Sequence, residues 1–139
     1  MKELVIYYSF GGTTKRLATA LAEERGADLY EVDFAKKPST FRAFTLCPAA
    51  MRQKQAKVRP ITVNMADYDK ITVMGPIWAS HPAPPLNNIF SLLPKETPVE
   101  IRLVSGGGKS SRDALQDLLR RLGVNVVQII DIAGGKSAS

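Results

Sequence analysis

The run Leu4-Val5-Ile6-Tyr7-Tyr8, followed at once by Ser9-Phe10-Gly11-Gly12-Thr13-Thr14, constrains this chain more than any other stretch. A short, continuous apolar run reads as a strand buried on both faces, as in a parallel sheet. Beyond the turn, Leu17, Ala18, Leu21 and Ala22 recur at helical spacing, with Lys15, Arg16, Glu23 and Glu24 off that stripe. Strand, small hydroxylated turn, then helix is an arrangement suited to holding phosphate. The helix start offers unpaired N–H groups and the positive end of its dipole. Gly11 and Gly12 permit positive φ and close backbone approach, while Ser9, Thr13 and Thr14 add hydroxyl donors. Taken alone, the turn serves equally well as a plain connection, so the rest of the chain has to decide.

The alternation of strand and helix continues to the far end. Tyr30, Val32 and Phe34 alternate with Glu31 and Asp33, as on an edge strand over 29–34 with one poorly covered face. Residues 38–60 are irregular, with a short basic helix expected over 48–57. A third strand is expected over 70–74, ending at Gly75-Pro76, and a helix over 86–93 with Pro84 and Pro85 in its first turn. The fourth strand, 99–104, leads into Ser105-Gly106-Gly107-Gly108. Ser111 is placed to cap a helix whose stripe is Ala114, Leu115, Leu118, Leu119 and Leu122, closed by Gly123. Residues 124–132 form the fifth strand. Five strands separated by helices imply a parallel sheet with helices on both faces and right-handed crossovers. Ligands then bind beyond the carboxyl ends of the strands. The expected organisation is one domain over 1–132 and a polar tail over 133–139.

Composition narrows the function classes. The 139 residues suffice for a single core, and Cys47, the only cysteine, excludes an intrachain disulfide. The chain enters its first strand directly after Met1-Lys2-Glu3, so a cytoplasmic location is expected. The net charge of +6 is concentrated: Lys36, Lys37, Arg42, Arg52, Lys54, Lys57 and Arg59 lie between Phe34 and Ala66 with no acidic residue among them. That segment is either a solvated face or a surface for an anionic partner. No helix-turn-helix, zinc or aromatic-plus-basic signature accompanies it, so nucleic acid is not expected. No grouping of His, Cys and carboxylates suggests a metal or a catalytic cluster. Gly106-Gly107-Gly108-Lys109-Ser110 is not a triphosphate-binding loop, because Leu103 stands where that motif needs its first glycine.

Three separated segments carry a resemblance to flavodoxin-like proteins. Tyr8-Ser9-Phe10-Gly11-Gly12-Thr13-Thr14 is similar to the family's phosphate-binding turn. The segment from Gly75-Pro76-Ile77-Trp78 to Pro82-Ala83-Pro84-Pro85 resembles the Gly-x-Pro-Ile-Trp loop of one branch, and Val104-Ser105-Gly106-Gly107-Gly108 the loop after the fourth strand. The resemblance implies an α/β, doubly wound, five-stranded parallel sheet of order 2-1-3-4-5, here without the family's final C-terminal helix. It implies FMN as cofactor. Ser9, Phe10, Gly11, Gly12, Thr13 and Thr14 would surround the phosphate. Pro76, Ile77, Trp78, Ala79 and Ser80 would flank the isoalloxazine ring, with Gly106, Gly107 and Gly108 at its far edge. No catalytic or metal-binding residue is implied.

The chain departs from the family pattern at Gly11, where a second Ser or Thr is usual, and at Ala79, where a second aromatic is common. One lost hydrogen bond to a charged group weakens binding by roughly 1.5–3 kcal/mol. The basic 36–59 segment also replaces the acidic surroundings usual for the flavin. The resemblance implies electron transfer with a redox partner protein or reductase. Alternatives are a small NAD(P)H-dependent flavin or quinone reductase, and a flavin-free binding module on the same fold. No membrane partner is expected. A homodimer is expected through the sheet face that the missing helix leaves open, where apolar side chains of the first and third strands would lie bare.

Overall fold

Alternate residues of the first apolar run face two different cores, which is why the run is continuous. Leu4, Ile6 and Tyr8 belong to one buried cluster, and Val5 and Tyr7 to a second with Ala18, Leu21, Ala22 and Met74. The computed structural model describes residues 1–105 and 110–133, with side chains for all of these but residues 40, 41 and 44. The elements are β1 (Glu3–Tyr7), α1 (Thr13–Arg25), β2 (Asp28–Glu31), α2 (Thr40–Thr45), α3 (Cys47–Met51), a 3-10 turn at Met65–Asp67, β3 (Lys70–Trp78) and β4 (His81–Pro82). They continue with α4 (Pro84–Leu92), β5 (Val99–Ser105), α5 (Arg112–Leu122) and β6 (Val126–Ala133). The sheet runs β2-β1-β3-β5-β6 with every one of these pairs parallel. Setting aside the two-residue β4, antiparallel to β3, this is the expected 2-1-3-4-5 order.

Several boundaries differ from expectation for local reasons. The edge strand stops at Glu31 instead of Phe34; Val32 still donates to the Tyr7 carbonyl at 2.7 Å, and Phe34 forms a single antiparallel bridge with Val58. In place of a helix over 48–57 there is the shorter α3, which stops at Met51, with α2 before it. Gln53, at φ 56°, ends the helical path, and the Lys57 carbonyl instead accepts from Ala35 at 2.9 Å. β3 does not end at Gly75-Pro76 but continues to Trp78. It carries Pro76 past the end of β1, where fewer ladder bonds require an N–H. Of the two glycines in the first turn, only Gly12 uses the left-handed region, at φ 102°.

α4 lies directly on β3. A Cβ added at Gly75 would come within 2.5–2.8 Å of the Leu86 side chain, so glycine is what permits the approach. On the opposite face α1 covers β1 and β3, and Val5, Tyr7 and Met74 are fully buried. The apolar surface expected to be bare on the first and third strands is therefore closed by α1. Beyond α1 the same face carries charge. Glu100, with its side chain 3 % exposed, meets Arg25 at 3.5 Å, Lys70 at 3.3 Å and Arg102. Burial pushes the Glu100 carboxyl up, but the bond from and the charge of Arg102, the charge of Arg25 and the bond from Lys70 outweigh it and hold the group below its ordinary value. Among the described residues no helix is long and apolar enough to cross a membrane.

Candidate functional site

The carboxyl ends of β1, β3 and β5 open on one side of the molecule, and the first turn lies there. The Tyr8 N–H donates to the Met74 carbonyl at 3.1 Å, which holds the turn against β3. The Gly12 N–H donates to Ser9 Oγ at 3.1 Å, and the Gly12 carbonyl accepts the first helical bond from Arg16 at 3.0 Å. Gly12 is the N-cap, and among the described residues no side chain caps the helix. Thr14 is 0 % exposed, and its Oγ1 has no hydrogen-bond partner among the described residues. A buried hydroxyl left without a partner is uncommon and costs about 1–3 kcal/mol. A second one, Tyr8 Oη, lies in the aromatic cluster on the other face. Burial, with Asp33 adding to it, pushes the Tyr8 phenol up, so its proton stays on.

The second turn is a tight hairpin between β3 and β4, pairing Trp78 with His81 and Ile77 with Pro82. Its two central residues, Ala79 and Ser80, sit at φ 52° and 66°. That is the form two-residue hairpins demand, usually met by Asn and Gly. Each non-glycine residue so placed costs on the order of 1–2 kcal/mol. His81 Nδ1 donates to the Ala79 carbonyl at 2.9 Å, and the Ala83 N–H to the Pro76 carbonyl at 3.0 Å, bracing the strained turn. Strain of this kind concentrates at ligand-clamping loops.

The two turns meet through aromatic rings. Phe10 packs edge-on against Trp78 at 5.8 Å, and Tyr8 does so at 6.1 Å. Trp78 is 9 % exposed because Phe34 stacks on it at 6.4 Å with the planes 12° apart. One face of Trp78, expected to flank the isoalloxazine ring, is thus occupied by Phe34. Phe34 itself was not singled out, although its inward place in the 30-32-34 alternation was the available signal.

The remaining expected residues fall as follows. Pro76 is buried, Ile77 half-buried, and Ala79 and Ser80 exposed; Gly11 is exposed and Thr13 buried. Gly106, Gly107 and Gly108 lie outside the described residues. Just after them, the Ser111 N–H donates to the Ser80 carbonyl at 2.6 Å, joining the start of α5 to the second turn. Ser110 Oγ donates to Asp131 Oδ1 at 2.8 Å and Arg112 to Asp131 Oδ2 at 3.1 Å, anchoring that corner to β6. Ser111 does not cap α5 through its side chain. Among the described residues no group of His, Cys, Asp and Glu could hold a metal ion.

This chain resembles known proteins throughout its length. A flavoprotein from Lactobacillus acidophilus NCFM, solved in complex with FMN, superposes with a TM-score of 0.78 at 20% identity, over 94% of this chain and 92% of that one. A protein from Bacteroides uniformis ATCC 8492 gives 0.79 at 25% identity, over 94% and 88%. The two-electron reduced flavodoxin of Megasphaera elsdenii gives 0.57 at 20%, over 96% and 87%. No curated protein matches the chain. The Flavodoxin family pattern matches residues 2–127, nearly the whole of the sheet and both turns. With its strand order and its paired loops at the carboxyl ends, the chain belongs to the flavodoxin family.

Proposed function

We propose that this end of the sheet binds FMN and that the protein passes electrons between partners through it. The observation that carries the reading is Thr14: a wholly buried hydroxyl that has no partner among the described residues, in the first turn of a helix that no described side chain caps, behind a glycine at positive φ. Such a hydroxyl fits an acceptor oxygen supplied from outside, and the helix start favours that oxygen being negatively charged. The residues present therefore suit a phosphate. FMN, when bound, supplies reversible uptake of one or two electrons.

The chain's own residues bind, orient and exclude water. Ser9 fixes the turn through Gly12, and Thr14 adds its hydroxyl to the N–H groups of the helix start. The Ala79-Ser80 hairpin, braced by His81 and by Ser111, presents exposed backbone beside the Phe10–Trp78 pair. A flat aromatic ring suits that combination of apolar wall and loop N–H groups. Among the described residues the site holds no acid–base pair, and an electron carrier requires none. The FMN-bound Lactobacillus acidophilus protein, alike over almost its entire length, supports the same reading.

The test is a titration of the flavin-free protein with FMN and, separately, with riboflavin, followed by quenching of flavin fluorescence. FMN should saturate at one equivalent and riboflavin should bind far more weakly, since it lacks the phosphate. Equal affinities would remove the phosphate turn from the reading. Folded protein that quenches neither flavin at millimolar concentration would remove the reading altogether.

A further inference from the structure

We propose that the cleft beside Phe34 is a second binding site, for a small flat organic molecule carrying two or more negative charges. The cleft has a volume of about 600 Å³, within the range of small-molecule sites. Phe34, Leu46 and Ala56 give it an apolar floor, and Lys36, Lys37, Arg42 and Lys57 line its rim. Among the described residues no carboxylate pairs with any of these four cations. Asp33, the acid nearest in sequence, turns its Oδ1 to the Phe34 N–H at 2.8 Å. Four like charges around one concavity raise its potential and draw anions in. The apolar floor asks for more than a bare inorganic ion: it fits a flat body whose acidic groups reach the rim.

The basic segment is also built into the fold, which a merely solvated loop has no need to be. Asn88 Oδ1 accepts from the Ala56 N–H at 2.8 Å, and its Nδ2 donates to the Ala56 carbonyl at 2.9 Å. Asn87 Nδ2 donates to the Lys54 carbonyl at 2.8 Å, and Gln53 Nε2 to the Ala114 carbonyl at 2.8 Å. The Ala35 N–H donates to the Lys57 carbonyl at 2.9 Å, and Arg59 N–H to that of Asp33 at 3.0 Å. The wall carrying Lys57 is thus held by α4, α5 and the segment that follows β2. A cleft fixed before its ligand arrives loses less entropy on binding. The inference stands on this cleft alone and needs no flavin. Because Phe34 stacks on Trp78, a molecule on the floor would lie one ring stack from the second turn.

The experiment is calorimetric titration of the whole chain, with and without saturating FMN. The probes are adenosine 2′,5′-bisphosphate and anthraquinone-2,6-disulfonate, with adenosine as the uncharged control. At least one anion should saturate a single site below about 1 mM, adenosine should not, and added FMN should leave the binding in place. The bisphosphate alone binding assigns the cleft to phosphorylated nucleotides; the disulfonate alone assigns it to aromatic acids. Lys36→Glu with Lys57→Glu should weaken binding at least about tenfold, and Lys95→Glu with Arg121→Glu, the same charge change elsewhere, less than about twofold. If the first pair fails to fold, Lys36→Gln with Lys57→Gln provides the same comparison. Three results would each overturn the proposal: no saturable binding of either anion, equal weakening by both charge-reversed pairs, or one-for-one displacement by FMN.

Discussion

Replacing Thr14 by valine separates the two consequences of its buried hydroxyl, because they have opposite signs. Valine keeps the shape of the side chain and exchanges the hydroxyl for a methyl group. In the flavin-free protein Oγ1 is buried with no partner among the described residues, so the exchange relieves a desolvation cost of about 1–3 kcal/mol. For a chain of this length an unfolding entropy of about 2.1 cal/mol/K per residue gives roughly 3 °C of midpoint per kcal/mol, so the flavin-free variant should melt about 3–10 °C higher. FMN binding moves the other way. One hydrogen bond to a charged oxygen is worth about 1.5–3 kcal/mol, and its loss weakens FMN by about 10- to 150-fold. Riboflavin, without the phosphate, should bind the variant as it binds the parent. Thermal denaturation of the flavin-free forms and fluorescence titration with both flavins read the two effects separately. A variant that melts lower would show that Thr14 has a partner within the chain. FMN and riboflavin weakened alike would show that no phosphate oxygen sits there.

Four further outcomes follow from the fold. Glu100 is held below its ordinary value, so its contribution is present above the usual carboxylate range near about pH 4.3 and is lost as pH falls through it toward the folded value. Glu100→Gln should therefore cost about 2 kcal/mol at neutral pH and progressively less as pH falls below the usual carboxylate range, read from urea midpoints across that window. Gly75→Ala drives a methyl group into the buried Leu86 side chain and should cost about 1–3 kcal/mol, read from the urea midpoint. Asn88→Ala strips both bonds from half-buried Ala56; it should lower stability by about 1–2 kcal/mol and weaken the cleft's anion binding with its charges intact. Ala79→Gly relaxes a residue at φ 52° and should raise the thermal midpoint by about 2–3 °C, whereas Ala79→Val should lower it.

What the sequence displays and what it hides divide along physical lines. Period and punctuation were legible: the doubly buried β1, the α1 and α5 stripes, and the prolines opening α4 each state a one-dimensional pattern that the fold repeats. Contacts across the sheet were not. Nothing in Ala79-Ser80 announces a turn with both residues left-handed, since a hairpin there usually declares itself with Asn or Gly; the geometry is imposed by the pairing of Trp78 with His81. Phe34 looked like one more inward residue of an edge strand, and its stack on Trp78 depends on how β2 and β3 end relative to each other. The basic segment read as either a solvated face or a binding surface. Its clamps are Asn87 and Asn88, some thirty residues away on α4.

The phosphate turn and the cleft also draw on different faces of the sheet, with a thermodynamic consequence. Thr14 belongs to α1, which packs with Val5, Tyr7 and Met74; Phe34 and the α4 clamps belong to the cluster on the other side. Changes at well-separated positions with no shared partner add to within about 0.5 kcal/mol. Thr14→Val combined with Lys36→Glu and Lys57→Glu should therefore lose FMN affinity as the first does alone, and anion affinity as the pair does alone. The two sites meet at the Phe34–Trp78 stack. If FMN and the anion alter each other's affinity, the coupling should vanish in Phe34→Leu, which keeps an apolar floor and removes the stacked ring. Coupling that survives this change would have to travel through β1 itself, and the two faces would not be energetically separate.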